Sequence, residues 1–286
     1  MRVRLPWLDR SGRFSTLKAV TLALLALPGL VAAIRYGTGH LGARPLNEAI
    51  LVTGLWAVRL LLLSLFVTPA RQILRLPKLV IVRRMIGVAA FAYAACHLTL
   101  YAADQAFDLA KVGSEIVLRL YLTIGFSAFL LLAALAITST DGMIRRLGAR
   151  RWQALHRAVY AAALLGIIHY LMQSKLAIAE AVMVAGFGWW LLSYRLVAWT
   201  AGTRVAASPV TVALLGIVAA GLTALGEAAY FHQLTGAALS RVLRADLSLA
   251  AGWRPGQLVM LAGAAILAAA MARRSRAPQL VRLSGS

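Results

Sequence analysis

The sequence predicts an all-α protein, a polytopic membrane helical bundle of about eight transmembrane helices, and three observations carry that expectation. The 286 residues are 61% hydrophobic and only 14% charged, against about 45–50% and about 25% in soluble domains. The mean hydropathy is +0.79. Apolar runs recur at a length that suits a bilayer, since about 20 helical residues cross about 30 Å of hydrocarbon. The same apolar excess excludes disorder and, despite a net charge of +21, a nucleic-acid binder. No segment alternates with period two in the manner of an outer-membrane strand. A single cysteine, Cys96, leaves no disulfide framework and no cysteine-based zinc or iron–sulfur site.

Six spans are predicted at residues 17–34, 49–68, 85–103, 118–139, 158–172 (with a less apolar lead-in from Trp152) and 177–199. Two more follow at 210–231 and 257–272. The basic N-terminus lacks a convincing small-residue cleavage site after the first apolar run, so that run is read as a retained helix. Pro69, Pro77, Pro209 and Pro255 fall where turns are needed, and Pro28 is expected to kink the first helix. Within the connection 232–256, SRVLRADLSLAAGW is expected to form a short amphipathic helix on the outer surface. Trp152, Trp189, Trp190 and Trp199 are assigned to interfacial aromatic belts, and Cys96 to packing.

Sorting the 30 Lys and Arg residues by inter-helix segment puts 21 on one side and 8 on the other, with Arg59 inside the second span. Positive charge marks the cytoplasmic side, which makes both termini cytoplasmic and the helix count even. The charge also suits anionic membrane lipid and does not imply nucleic acid.

Ionisable residues inside a bilayer are candidates for function, because unpaired ones are costly there. The one acid well inside a span is Glu227, near the outer end of the seventh; such scarcity argues against a proton relay. The histidines differ. His97 lies about 18 Å along the third span and His169 about 16–17 Å along the fifth, counted at 1.5 Å per residue from the same side. Two neutral imidazoles at one depth can ligate a single haem iron across a bundle interior; each can equally be a hydrogen-bonded core residue. His156, thirteen residues before His169, has no histidine opposite it and is placed at the cytoplasmic interface, where it would bind a second cofactor or receive electrons. Arg59 either snorkels or pairs with an anion such as a haem propionate. His40 and His232 are read as solvated residues of outer loops. GTGHLG at 37–42 matches a dinucleotide fingerprint but lacks the strand and the βαβ unit that the fingerprint requires. It is rejected.

The segments VTGLWAVRLLLLSLFVTP, RRMIGVAAFAYAACHLTLYA, LYLTIGFSAFLLLAALAITST and RRLGARRWQALHRAVYAAALLGIIHYL together resemble the MsrQ (YedZ) family of the ferric-reductase-like transmembrane group. The resemblance runs in order over roughly residues 15–200. It implies a haem b membrane subunit of a bacterial inner (plasma) membrane that passes electrons to a periplasmic molybdopterin reductase subunit, MsrP-like, reducing methionine sulfoxide in oxidised proteins. Cytoplasmic flavin reductase, flavin mononucleotide (FMN) or quinone belong to its input side. By motif, His97 in HLTLY and His169 in HYL become the iron ligands, His156 in LHRAVY the third family histidine, and Arg59 a tolerated basic position. Family members carry a His just before the Thr-Gly of the second helix, where Leu51 and Val52 stand here. The expected organisation is a six-helix ferric-reductase-like haem-binding domain, 15–204, and an extension, 205–286, with two further helices. The rival expectations are a metal-reductase-like transmembrane cytochrome b and a haem-free scaffold or transporter of the same fold.

Overall fold

Twelve α-helices, with a short 3-10 turn at Pro77–Leu79, build the described part of the protein in chain order. The computed structural model describes residues 5–9, 11–174, 178–248 and 252–283, the last helix beyond residue 273 by its backbone alone. They are α1 (Thr16–Gly37), α2 (Pro45–Ile73), α3 (Val80–Asp104), α4 (Leu109–Leu118), α5 (Leu120–Ile137) and α6 (Asp141–His156), then α7 (Val159–Gln173), α8 (Ile178–Thr200), α9 (Thr203–Ala206), α10 (Pro209–Thr235), α11 (Leu239–Asp246) and α12 (Pro255–Leu283). Among the described residues eight spans are long and apolar enough to cross a membrane, with α6 and α7 counted as one. The chain is a polytopic helical membrane protein. The predicted start of the sixth span, Ala177, lies outside the described residues, as do Arg2, Arg4, Arg10 and Lys175 among the sorted charges.

The helices fall into two compact units, residues 1–64 with 78–169 and residues 65–77 with 170–286. In the first, α1 packs on α3 and α3 on α5. Pro28 lies inside α1 as expected; it cannot donate, and its ring disturbs the preceding turn. Tyr93 of α3 serves the gap. Its hydroxyl accepts from the Gly29 N–H at 2.7 Å and donates to the Leu25 carbonyl at 2.9 Å, standing in for the next i→i−4 bond.

Local hydropathy misses two breaks in this unit. The predicted start of the fourth span, Leu118, falls on α4, which the extended backbone of Arg119 separates from α5; Asp108 caps α4 by accepting from the Lys111 N–H. The lead-in from Trp152 is a helix of its own. α6 begins at the Thr140 cap and is broken at Gly148, where φ is 74°, a conformation open to glycine because it has no Cβ. Cys96 is exposed, so the assignment to packing is corrected: it stands on the outward face of α3.

In the second unit α8, α10 and α12 pack mutually, and small residues let their backbones approach, as is common between membrane helices. A Cβ on Gly186 of α8 would collide with the Thr223 hydroxyl of α10, and one on Gly216 would meet the Gly263 Cα at 3.6 Å. Ser208 and Pro209 start α10 as cap and first residue, a pairing that suits proline because the first N–H has no acceptor anyway. The segment around 240 is helical as expected, in α11.

Three expectations are corrected here. Pro69 does not end the second span; α2 continues through it to Ile73. Trp190 is buried, 4% exposed, against Phe66 and Tyr194 with ring centroids 6.3 Å away in each case; Trp199, 63% exposed, does suit a belt. His232 belongs to the last turn of α10, where its Nδ1 is 2.9 Å from the Ala237 carbonyl.

Pro69 is tolerated for an identifiable reason. Without an N–H it leaves the Leu65 carbonyl without its i→i−4 partner, and Arg195 Nη2 of α8 donates to that carbonyl at 3.1 Å. A hydrogen bond from a charged donor contributes about 1.5–3 kcal/mol. Arg195→Met is therefore expected to lower the thermal midpoint in detergent, and Pro69→Ala to recover part of the loss by returning an N–H to Leu65. Equal losses in the single and double variants would show that the two residues are not coupled.

Candidate functional site

The candidate site lies wholly within the first unit and is made by four helices. α3 carries His97 and α7 carries His169, and their ring centroids stand 6.3 Å apart with the planes at 78°. The matched depth inferred from residue counts is thus a real juxtaposition. Both residues are half-buried.

Each ring is held by a carbonyl on a further helix. His97 Nδ1 is 2.8 Å from the Ile50 carbonyl of α2, and His169 Nδ1 is 2.8 Å from the Tyr121 carbonyl of α5. A carbonyl only accepts, so in both neutral rings the proton sits on Nδ1 and the lone pair on Nε2. Among the described residues neither Nε2 makes a hydrogen bond. This is the tautomer a metal-binding imidazole needs, with its other nitrogen oriented by an outer partner.

The two anchors share one construction. Four residues beyond each accepting carbonyl stands a glycine, Gly54 after Ile50 and Gly125 after Tyr121. A Cβ leans towards the helix N-terminus, over the carbonyl one turn earlier, so any other residue would block the ring. A Cβ at Gly54 would lie 2.8 Å from His97 Nδ1, and one at Gly125 2.6 Å from His169 Nδ1. Thr53 adds its hydroxyl to the Ile50 carbonyl at 3.0 Å. These glycines and Thr53 are the functional candidates that residue-by-residue reading passed over, although VTGLW and LTIGFS already contained them.

The donor set fits a haem iron on observations of this chain. Two imidazoles on opposite sides of one metal, with bonds of about 2 Å, have ring centres about 6 Å apart, which is the separation found. Among the described residues no cluster of three or more His, Cys, Asp or Glu offers a metal site. The pair therefore suits a metal whose remaining ligands come from a macrocycle.

The other two candidates make contacts of their own. His156 closes α6 with its ring stacked on Trp152, centroids 3.8 Å apart. Its Nδ1 is 3.1 Å from the Trp152 carbonyl and its Nε2 is 3.3 Å from the Ser139 hydroxyl, while Trp152 Nε1 donates to the Thr138 carbonyl at 2.8 Å. Both His156 nitrogens are thus engaged by protein groups. Arg59, half-buried on α2, lies over the Trp56 ring at 5.1 Å. GTGHLG occupies the end of α1 and the following loop, as expected.

The family model described as ferric reductase like transmembrane component matches residues 53–167, which include Gly54, Arg59, His97, Gly125 and His156 and stop just before His169. The protein-methionine-sulfoxide reductase heme-binding subunit MsrQ of Rhodospirillum rubrum is 44% identical over 190 residues, 66% of this chain and 89% of that one. The protein of the same description from Azospira oryzae is 39% identical over 187 residues, 65% and 80%, and that of Xanthomonas campestris pv. campestris 43% over 181 residues, 62% and 83%. No solved structure matches.

Proposed function

Because the chain belongs to the MsrQ family of heme-binding subunits, within the ferric-reductase-like transmembrane group, we propose that it is a b-type cytochrome subunit that carries electrons across the inner membrane to a periplasmic reductase. The observation that carries this reading is the His97–His169 pair, 6.3 Å apart with each Nδ1 tied to a carbonyl. Haem b, when bound, supplies a one-electron couple whose potential follows its axial ligands, burial and hydrogen bonding.

The chain's own residues do the rest. His97 and His169 would hold the iron through Nε2. The Ile50 and Tyr121 carbonyls hold the Nδ1 protons, keep both rings in one tautomer and raise their basicity. Arg59 would offset an anionic group such as a propionate. His156 sits in a stacked, hydrogen-bonded niche and, in this reading, serves the input side without ligating the iron. The acceptor would be an MsrP-like molybdopterin subunit reducing methionine sulfoxide in oxidised proteins, and the donor a cytoplasmic flavin reductase with FMN, or quinone. The strong bias of basic residues to one side supports cytoplasmic termini.

Reduced-minus-oxidised spectra and haem quantitation of the purified full chain in detergent test this. One haem b per chain is expected, lost in His97→Ala and in His169→Ala and retained in His156→Ala. Absence of Soret and α bands, or haem retained by both ligand variants, would overturn the assignment. Methionine-sulfoxide-dependent reoxidation with the partner reductase separates this function from delivery of electrons to ferric ions.

A further inference from the structure

The second unit contains a buried charge cluster that electron transfer does not use. Glu227 of α10 and Asp246 of α11 have side chains 1% and 5% exposed, and one guanidinium grips both. Arg254, just before α12, reaches Glu227 Oε1 with Nη2 at 3.2 Å and Asp246 Oδ1 with Nε at 3.3 Å. Gln257 locks the surrounding backbone, accepting from the Arg254 N–H at 3.2 Å and donating to the Asp246 carbonyl at 2.8 Å. The second oxygen of each acid, Glu227 Oε2 and Asp246 Oδ2, is buried and makes no hydrogen bond among the described residues.

Among the described residues the charges do not balance as they stand. On α10 the neighbouring groups are Phe231, whose ring lies 6.0 Å from the Arg254 guanidinium, half-buried Tyr230, which donates to the Ser174 carbonyl at 3.4 Å, and exposed His232. On α11 Arg241 and Arg244 are exposed. On α8, Val182 faces Gly226, and half-buried Glu180, near the start of that helix, brings no positive charge. Among the described residues two carboxylates thus share one cation. A buried carboxylate without its own counter-charge is expensive, and two acids in one site resolve this by keeping a proton.

We propose that Glu227 and Asp246 bind one proton between them, which makes the Glu227–Asp246–Arg254 cluster neutral and fastens α11 to α10. The proton lies on one of the two unpartnered oxygens and turns it from an acceptor without a donor into a donor. A metal ion is the poorer occupant, because calcium takes six to eight oxygens and magnesium demands an octahedron.

The sign of the pH dependence follows from linkage: a proton held in the fold and released on unfolding makes stability fall as pH rises. Infrared spectra of the full chain in detergent at neutral pH are expected to show a protonated-carboxyl stretch that disappears in Glu227→Gln and in Asp246→Asn. Wild type should lose thermal stability on going from neutral to alkaline pH, and the Glu227→Gln curve should be flatter over that range. No such band in wild type, or a band that survives in both variants, would overturn the proposal. So would a band that appears only after a chelator removes a metal that stabilises the wild type. The haem spectrum, read on the same samples, tests ligation separately, so failure of one reading leaves the other measurable.

Discussion

Gly125→Ala is expected to strip most of the haem from this protein, although it adds a good helix former to the middle of a helix. Elsewhere the change from glycine to alanine would favour the helix by about 1 kcal/mol. Here the new Cβ would lie 2.6 Å from His169 Nδ1, 2.8 Å from Cε1 and 2.9 Å from Cγ. Three ring atoms cannot all be relieved by a small shift, and moving the imidazole breaks its hydrogen bond to the Tyr121 carbonyl. Losing such an outer partner costs on the order of 10–100-fold in metal affinity, before any displacement of Nε2 is counted. Gly54→Ala is expected to act in the same direction but less, since its Cβ would meet His97 at 2.8 Å and 3.0 Å with the third ring atom at 3.6 Å. Gly87→Ala and Gly166→Ala are controls, with nearest neighbours at 3.5 Å and 4.0 Å. Haem content per chain after purification decides the matter: full occupancy in Gly125→Ala would show that the glycine does not make room for the ring.

Arg254→Met is expected to cause the largest loss of stability among single changes in the second unit. Removing one partner from a buried ion pair costs about 3–5 kcal/mol, because the other charge is left behind. Here two carboxyls are left, those of Glu227 and Asp246. Protonation of the acid pair relieves the loss, so the deficit shrinks as pH falls and widens as pH rises. Arg254→Lys should fall between, since a single ammonium cannot replace a guanidinium that meets the two acids through separate nitrogens. Thermal unfolding in detergent at two pH values checks this. A loss that does not vary with pH would mean that packing rather than charge is what Arg254 supplies.

Much of this protein is legible without a structure because a bilayer imposes a local rule. Each span must be apolar over its own length, and hydropathy reads that directly; the eight expected spans all correspond to helices. The depth of His97 and His169 was equally accessible, since helical rise is constant and both helices start from basic residues. Motifs did the same for the family. The errors came where a local signal depends on a distant partner. Pro69 reads as a breaker, yet α2 runs through it because Arg195, far along the chain, takes up the Leu65 carbonyl. Trp190 reads as a belt residue, yet Phe66 and Tyr194 cover it.

The sequence by itself thus determined the membrane class, the spans, the histidine pair and the family. Tertiary structure alone decided how the pair is held: which nitrogen carries the proton, which carbonyl receives it, and why glycine stands at 54 and 125. The physical reason is range. Hydropathy and helical periodicity act over one or two turns, whereas the bonds that orient His97 and His169 join residues 47 and 48 positions apart. Only packing the helices brings those groups within hydrogen-bond reach.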